Sequence, residues 1–340
     1  MPASRQSVWF TAPYQVEVRT EALTAPGPGQ ALVSTLVSAI SPGTEMLVYR
    51  GQFPAELPLD ATIRALAGPF TYPVRYGYAC VGRVAEVGPE VDPALAGRLV
   101  FAFQPHASAF VAPACDLFPL PEGCRPEAAA FLPSMETAVN FLLDGAPVIG
   151  ERVAVLGQGV VGLLTTALLA RLPLAELVAV DGLALRRDWA LRLGARAALT
   201  PADDLRARLE AASEADGADL IYELSGAPAA LDQAIAAAGF AGRIVVGSWY
   251  GQKRHPVDLG GRFHRGRLRL ISSQVSTLTP DLLARWTKAR RLAVAWRMLM
   301  EVQPEQLVTH RCALAEAPDL YALIDRCPEQ VVQALFQYPA

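Results

Sequence analysis

A chain of 340 residues is too long for one hydrophobic core and suits two domains. Apolar residues make up 52% of it and charged residues 19%, enough to fill large cores and unlike the composition of a disordered chain. The formal net charge is −3 with both signs mixed along the sequence, so there is no electrostatic case for a nucleic-acid partner.

The first residues, MPASRQSVWFTAP, lack the apolar stretch of a signal peptide. The five cysteines (Cys80, Cys115, Cys124, Cys312 and Cys327) form no CxxC pair. Both features suit a protein of the reducing cytoplasm. The first third reads as short strands: 16–19 alternates, and 31–40 is a β-rich run behind the turn signal Pro26-Gly27-Pro28-Gly29. Runs at 81–87 and 99–103 follow, separated by Gly and Pro, which predicts an irregular, mostly β domain. The texture changes near Glu127. Aliphatic strands at 153–156, 177–180, 197–199, 220–223, 244–246 and 268–271 alternate with Ala/Leu-rich helices. That alternation predicts a doubly wound parallel sheet, an α/β fold, over 127–272. The longest apolar stretch, 159–180, is interrupted by Arg171, Pro173 and Glu176, so it reads as a helix followed by a strand and no membrane span is expected. The tail has helical segments at 281–300 and 317–325, then a strand at 331–338, and is expected to return to the first domain. The first domain would then be discontinuous, 1–126 with 273–340.

The sharpest local pattern is Gly157-Gln158-Gly159-Val160-Val161-Gly162, which follows strand 152–156 and opens the helix-like 161–171. In that setting the first glycine makes the tight turn and the second lets backbone approach a pyrophosphate. The third packs helix on strand, and free N–H groups at the helix start receive the phosphate charge. The next strand ends in Asp181, nineteen residues after Gly162. A carboxylate there can accept hydrogen bonds from the ribose hydroxyls and repel a 2′-phosphate, so NAD is favoured over NADP. Asp181 also fits the plainer role of capping the next helix. Arg186 and Arg187 could serve either the adenosine or a 2′-phosphate.

With these residues in view, the whole chain resembles the medium-chain dehydrogenase/reductase superfamily. That superfamily carries G-H-E-x-x-G and, five residues on, a further glycine. Here the sequence is Gly77-Tyr78-Ala79-Cys80-Val81-Gly82, then Gly88, so every glycine is kept while the metal-binding histidine is Tyr78. Zinc members carry C-G-[ST]-D where this chain has Pro42-Gly43-Thr44-Glu45. Their third ligand aligns with Pro133, with Glu136 nearby, and the four-cysteine structural zinc lobe is missing. A catalytic zinc needs three protein ligands, usually His, Cys or carboxylate, so a zinc-free branch is expected. The segments Ser41–Glu45, Tyr76–Tyr78, Ser248–Gly251, Phe263–Arg265 and Ser272–Gln274 are similar to the subgroup containing bacteriochlorophyllide hydroxyethyl dehydrogenases, a likeness that specifies branch and not substrate.

The resemblance implies a Rossmann nucleotide-binding domain with a GroES-like catalytic domain, and a homodimer paired edge to edge through 268–271. It implies NAD(H) as cofactor and a small secondary alcohol or ketone as substrate. Without zinc, some donor must stabilise the reacting oxygen. Tyr78, at a ligand position, could donate a hydrogen bond or a proton, or simply fill the vacated space. Thr44 aligns with the superfamily's proton-relay hydroxyl but also suits a plain turn. Glu45 could orient its neighbours, or be a structural carboxylate paired with an arginine. His106 could shuttle protons or be an ordinary satisfied histidine, and His264 and Arg265 could contact substrate or face solvent. Thr137 aligns near the nicotinamide. Ser225-Gly226 and Gly247-Ser248 end the fourth and fifth strands, where ribose and nicotinamide are expected. Two other readings stay open: a zinc-free reductase of activated C=C bonds such as quinones, and a non-enzymatic dinucleotide sensor.

Overall fold

A computed structural model describes residues 4–211 and 216–339. The chain forms two compact units, Met1–Pro133 with Gln303–Ala340, and Ser134–Val302.

The first unit opens with an antiparallel hairpin, β1 (Ser4–Ala12) and β2 (Gln15–Ala22). Next come β3 (Gln30–Ala39), α1 (Pro42–Tyr49), β4 (Cys80–Val87), β5 (Leu99–Ala102), β6 (Ala109–Pro113), β7 (Phe118–Pro119) and the short α2 (Pro126–Ala129). The sheet is completed from the far end of the sequence by β14 (Val308–Ala313) and β15 (Gln333–Gln337), with α9 (Ala317–Arg326) between them. Its order is β14-β15-β3-β4-β5-β7, with β6 also paired to β3. The pattern-based strands at 81–87, 99–103 and 331–338 and the helix at 317–325 are all present, and of the tail expected to rejoin the first unit only the part from Gln303 on does so. Helix α1 has no counterpart in the strand pattern. It buries Met46, Val48 and Tyr49 in one cluster with Val8, Phe10, Tyr321 and Phe336, so side chains distant in sequence fix its place.

The second unit runs α3 (Leu132–Gly145, crossing the unit boundary), β8 (Arg152–Leu156), α4 (Val160–Leu169), β9 (Glu176–Val180), α5 (Ala184–Arg192), β10 (Ala197–Leu199) and α6 (Leu205–Glu210). It continues with β11 (Ala218–Glu223), α7 (Ala230–Ala237), β12 (Ala238–Val246), β13 (Arg269–Ser272) and α8 (Lys288–Val302). The sheet order is β10-β9-β8-β11-β12-β13 and every neighbouring pair is parallel. All six strands expected from the aliphatic runs are present. Strand β8 is buried throughout, and nine of the ten residues of α4 are buried, as suits a helix whose only polar side chains, Thr165 and Thr166, have hydrogen-bond partners. The stretch 159–180 is accordingly α4 followed by β9, and no helix among the described residues is long and apolar enough to cross a membrane.

The second unit extends to Val302, thirty residues past the boundary that the strand pattern implies. Arg291 of α8 explains the extension. It is 2% exposed, yet all its donors are used: Nε and Nη2 bond Glu136 Oε1 at 3.1 and 2.9 Å, Nη1 bonds Asn140 Oδ1 at 2.6 Å, and the remaining N–H groups reach the carbonyls of Val275 and Thr277. A buried guanidinium is tolerable only when so fully satisfied. Removing α8 from this unit would therefore strand a charge as well as expose Ala295 and Leu299.

Candidate functional site

The glycine turn leaves the C-terminal end of β8. Gly157 has φ of +90°, and a Cβ there would lie 2.4 Å from Ser225 Cα. A Cβ on Gly162 would lie 2.0 Å from the Gly157 carbonyl oxygen. These two glycines are demanded by the protein itself. Gly159 differs, since a Cβ on it would meet no atom within 4 Å. It is the N-cap of α4 and has no side chain with which to satisfy the first-turn N–H groups that follow it, on Val160, Val161 and Gly162. Its openness is what an incoming phosphate would need.

Asp181, at the end of β9 and 8% exposed, ties this turn down. Its Oδ2 accepts from the Gln158 backbone N–H at 2.7 Å and its Oδ1 from Leu183 N–H at 2.8 Å, so it holds the turn before α5 but does not cap that helix, whose N-cap is Leu183. Arg186 Nη1 is 3.9 Å from Oδ2, and the Arg186 Nε is buried without a hydrogen-bond partner. Arg187 Nη1 donates to the carbonyls of Asp181 and Gly182. Gln158 takes part through its backbone only, because its buried side chain bonds Val155 O and Thr166 Oγ1.

The ends of β11 and β12 are organised by a group that sequence reasoning passed over. Glu223 is fully buried, and its Oε1 accepts from both the backbone N–H and the hydroxyl of Ser225. Its Oε2 accepts from Tyr250 Oη; burial, helped by this bond and the Glu223 charge, pushes the Tyr250 phenol well above its ordinary pKa. Ser248 Oγ accepts from Gly226 N–H at 2.8 Å, and Lys253 Nζ donates to the Gly226 carbonyl. Gly247 is needed for packing, since a Cβ there would strike Phe141 at 2.3 Å. Thr137 lies on the second turn of α3 and is partly exposed.

In the first unit, three hydroxyls meet. Tyr78 Oη lies 2.5 Å from Ser41 Oγ and 3.3 Å from Thr44 Oγ1. A phenol has one proton to give, so Ser41 is its principal acceptor and Thr44 the weaker one. Burial pushes the Tyr78 phenol up to about 12, with the hydroxyls of Ser41 and Thr44 pulling the other way and the negative charges of Glu45 and Asp60 adding to the rise. Ser41 is the N-cap of α1, yet its hydroxyl makes no capping bond. Instead Glu45, fully buried one turn on, accepts the Ser41 backbone N–H on Oε1 at 2.7 Å. Its other oxygen takes His106 Nε2 at 3.0 Å and the Tyr321 hydroxyl. His106 is also fully buried and its Nδ1 meets Ser38 Oγ at 2.7 Å. A Cβ on Gly77, where φ is +106°, would strike the His106 ring at 2.6 Å, which accounts for one glycine of the motif around Tyr78.

Glu45 is thus a structural carboxylate, though its partners are a histidine and a tyrosine and not an arginine. His106 is a satisfied core residue, while His264 and Arg265 are exposed. Sequence reasoning missed Ser41 as the partner of Tyr78, the Glu223–Tyr250 pair and the Glu45–Tyr321 bond. Only Ser41 left a trace in the sequence, as an N-cap-type residue ahead of Pro at the first helical position.

A six-stranded parallel sheet whose order reverses beside a glycine turn defines a dinucleotide-binding unit of the Rossmann class. Together with the mixed β unit, it makes the two-unit fold of the medium-chain dehydrogenases. The family described as zinc-binding dehydrogenase matches residues 160–293. D-guloside 3-dehydrogenase of Escherichia coli (strain K12) is 26% identical over 265 residues, 76% of this chain and 75% of that protein. Among solved structures, 2R,3R-butanediol dehydrogenase from Bacillus subtilis superposes with a TM-score of 0.79 at 19% identity, covering 99% of this chain and 100% of its own. A short chain alcohol dehydrogenase from E. coli CFT073, solved with NADH, gives the same TM-score, identity and coverage, 0.79, 19%, 99% and 100%. The chain thus has the fold of the medium-chain dehydrogenases, and its second unit is similar to the zinc-binding dehydrogenase family.

Proposed function

We propose that this enzyme moves a hydride between NAD(H) and a secondary alcohol or ketone without zinc, using the Tyr78 phenol where relatives use the metal. The observation that carries this reading is the donor set around Tyr78. Pro42, in the cysteine position, offers no ligand atom. Tyr78 is a neutral phenol with its proton given to Ser41. The nearest carboxylate, Glu45, is buried and committed to Ser41 N–H, His106 and Tyr321. Glu136, near the third ligand position, is held by Arg291. Among the described residues no three His, Cys, Asp or Glu side chains are grouped so as to hold a metal. Zinc does not fit this set.

A nicotinamide fits the second unit better. It would accept or supply the hydride. The open Gly159 and the first-turn N–H groups of α4 would receive its pyrophosphate. Asp181 would take the adenosine ribose on its remaining lone pairs and repel a 2′-phosphate, favouring NAD over NADP. Arg186, with its unbonded Nε, would line the adenosine end. Ser225, Gly247 and Ser248 would line the other end, held by Glu223, and Thr137 would lie near the nicotinamide. In the first unit the Tyr78 oxygen would hold the substrate oxygen by a hydrogen bond as charge develops on it. Thr44, which also bonds Tyr78, would help fix the phenol. A homodimer through β13 belongs to the same proposal. Its Arg269 and Leu270 are exposed on the sheet's edge, and light scattering in solution tests it.

The deciding experiment is elemental analysis of purified protein beside turnover of secondary alcohols in strong chelator. Less than a tenth of a zinc per chain, roughly, and undiminished turnover are expected; about one zinc per chain, with activity lost on its removal, would overturn the proposal.

A further inference from the structure

We infer that Ser41 is the next link in proton transfer after Tyr78, so that the reacting proton leaves through the Ser41 hydroxyl and not through Thr44. The inference rests on the proposed role of Tyr78 and extends it. Three observations support it. The Tyr78–Ser41 contact is 2.5 Å and the Tyr78–Thr44 contact 3.3 Å, so the single phenolic proton is directed at Ser41. A serine at a helix N-cap ordinarily turns its hydroxyl onto the first-turn N–H groups, and Ser41 does not. Finally, the backbone of Ser41 is held from below by Glu45, itself pinned by His106 and Tyr321, while Ser41 remains partly exposed to water.

In the oxidative direction the substrate hydroxyl gives its proton to Tyr78 Oη. The Tyr78 proton passes to Ser41 Oγ, and the Ser41 proton passes to water. A bound NAD⁺ would take the hydrogen on the carbinol carbon together with its electron pair, leaving a carbonyl. Alcohol, NAD⁺ and water become ketone, NADH and hydronium, and reduction runs the same chain backwards. At no point does Tyr78 have to exist as a free phenolate. That matters because burial and the facing charges of Glu45 and Asp60 disfavour the phenolate, and Tyr76, the other titratable group packed on the ring, carries no charge to offset them. Glu45 and His106 act in this scheme as positioning residues.

Ser41→Ala is a mild change, since it keeps the backbone N–H that Glu45 holds. The first measurement needs neither cofactor nor substrate. A fluorinated tyrosine placed at position 78, whose lower pKa brings ionisation into the range of the folded protein, is titrated by fluorine NMR. With Ser41→Ala the resonance should shift and the midpoint rise by about one pH unit, the worth of one hydrogen bond. Identical resonance and midpoint would overturn the inference. The second measurement uses a panel of secondary alcohols with NAD⁺, read by NADH formation. Ser41→Ala should lower kcat by about tenfold or more with little change in KM, and remove the solvent deuterium isotope effect. Ser41→Thr should restore both, and Thr44→Val should cost less than Ser41→Ala. Wild-type turnover and isotope effect in Ser41→Ala, beside an impaired Tyr78→Phe, would overturn the relay and leave the role of Tyr78 standing. A silent Tyr78→Phe would overturn both.

Discussion

The two units carry their chemistry in different materials. In the second, the groups that would meet a dinucleotide are mostly backbone: the turn at Gly157, the first N–H groups of α4, and the ends of β8, β11 and β12. Side chains there serve mainly to hold backbone in place, as Asp181 holds Gln158 and Glu223 holds Ser225. In the first unit the atoms proposed to react are side-chain oxygens. Their positions depend on partners far away in sequence, 37 residues for Tyr78 and Ser41 and 276 for Tyr321 and Glu45. A backbone site survives most side-chain changes and fails when a glycine is lost. A hydroxyl site fails when a single oxygen is removed.

The largest expected effect follows from the first half of that contrast. Gly162→Ala would add about 1 kcal/mol of stability at an ordinary helical position. Here the new Cβ meets the Gly157 carbonyl, and a net loss of about 3 kcal/mol or more is expected, read as a fall in Tm. An unchanged Tm would mean that the turn is looser than the contacts indicate. Next is Glu45→Gln, which leaves the Ser41 N–H, the buried His106 and the buried Tyr321 competing for one acceptor oxygen beside a new amide donor. A loss of about 1 to 3 kcal/mol is expected by denaturant unfolding, and a wild-type midpoint would show that the network can re-form around an amide.

Asp181→Asn should narrow the preference for NADH over NADPH by about tenfold, the effect of removing one repelling charge. Fluorescence titration of both cofactors measures it, and a wild-type preference for NADPH would show that Arg186 and Arg187 set the choice. The smallest change in stability is expected for Gly159→Ala, where open space receives the methyl group. Tm should move by less than about 1 kcal/mol equivalent while the affinity for NADH falls. Undiminished affinity would remove Gly159 from the proposed phosphate site.

The same contrast explains what could be read from the sequence. The aliphatic runs and the glycine turn of the second unit are local signals with a period or a spacing, and every strand expected from them is present. The return of 331–338 to the first sheet was legible too, as a β pattern with no nucleotide signals around it. The extension of the second unit to Val302 was not, because Arg291 looks like one more surface arginine until its buried partners are seen. Tyr78 and Thr44 stood out only through resemblance, by standing where relatives keep a metal and a relay hydroxyl. Ser41 could not be ranked above Thr44, because the difference between them is a side-chain distance fixed by Glu45, His106 and Tyr321.

The most direct test is Tyr78→Phe, which preserves the ring packed on Tyr76 and removes only the phenolic oxygen. NADH affinity should stay close to wild type and Tm should fall only by the worth of the bond to Ser41, about 1 kcal/mol. Turnover of a secondary alcohol should fall by roughly 10²-fold or more, the scale of losing an acid–base group or oxyanion donor. A wild-type turnover rate in Tyr78→Phe would contradict the hydroxyl mechanism outright. It would make Tyr78 a filler of the space that relatives give to a metal, and would favour a reaction needing no help at oxygen, such as reduction of an activated C=C bond.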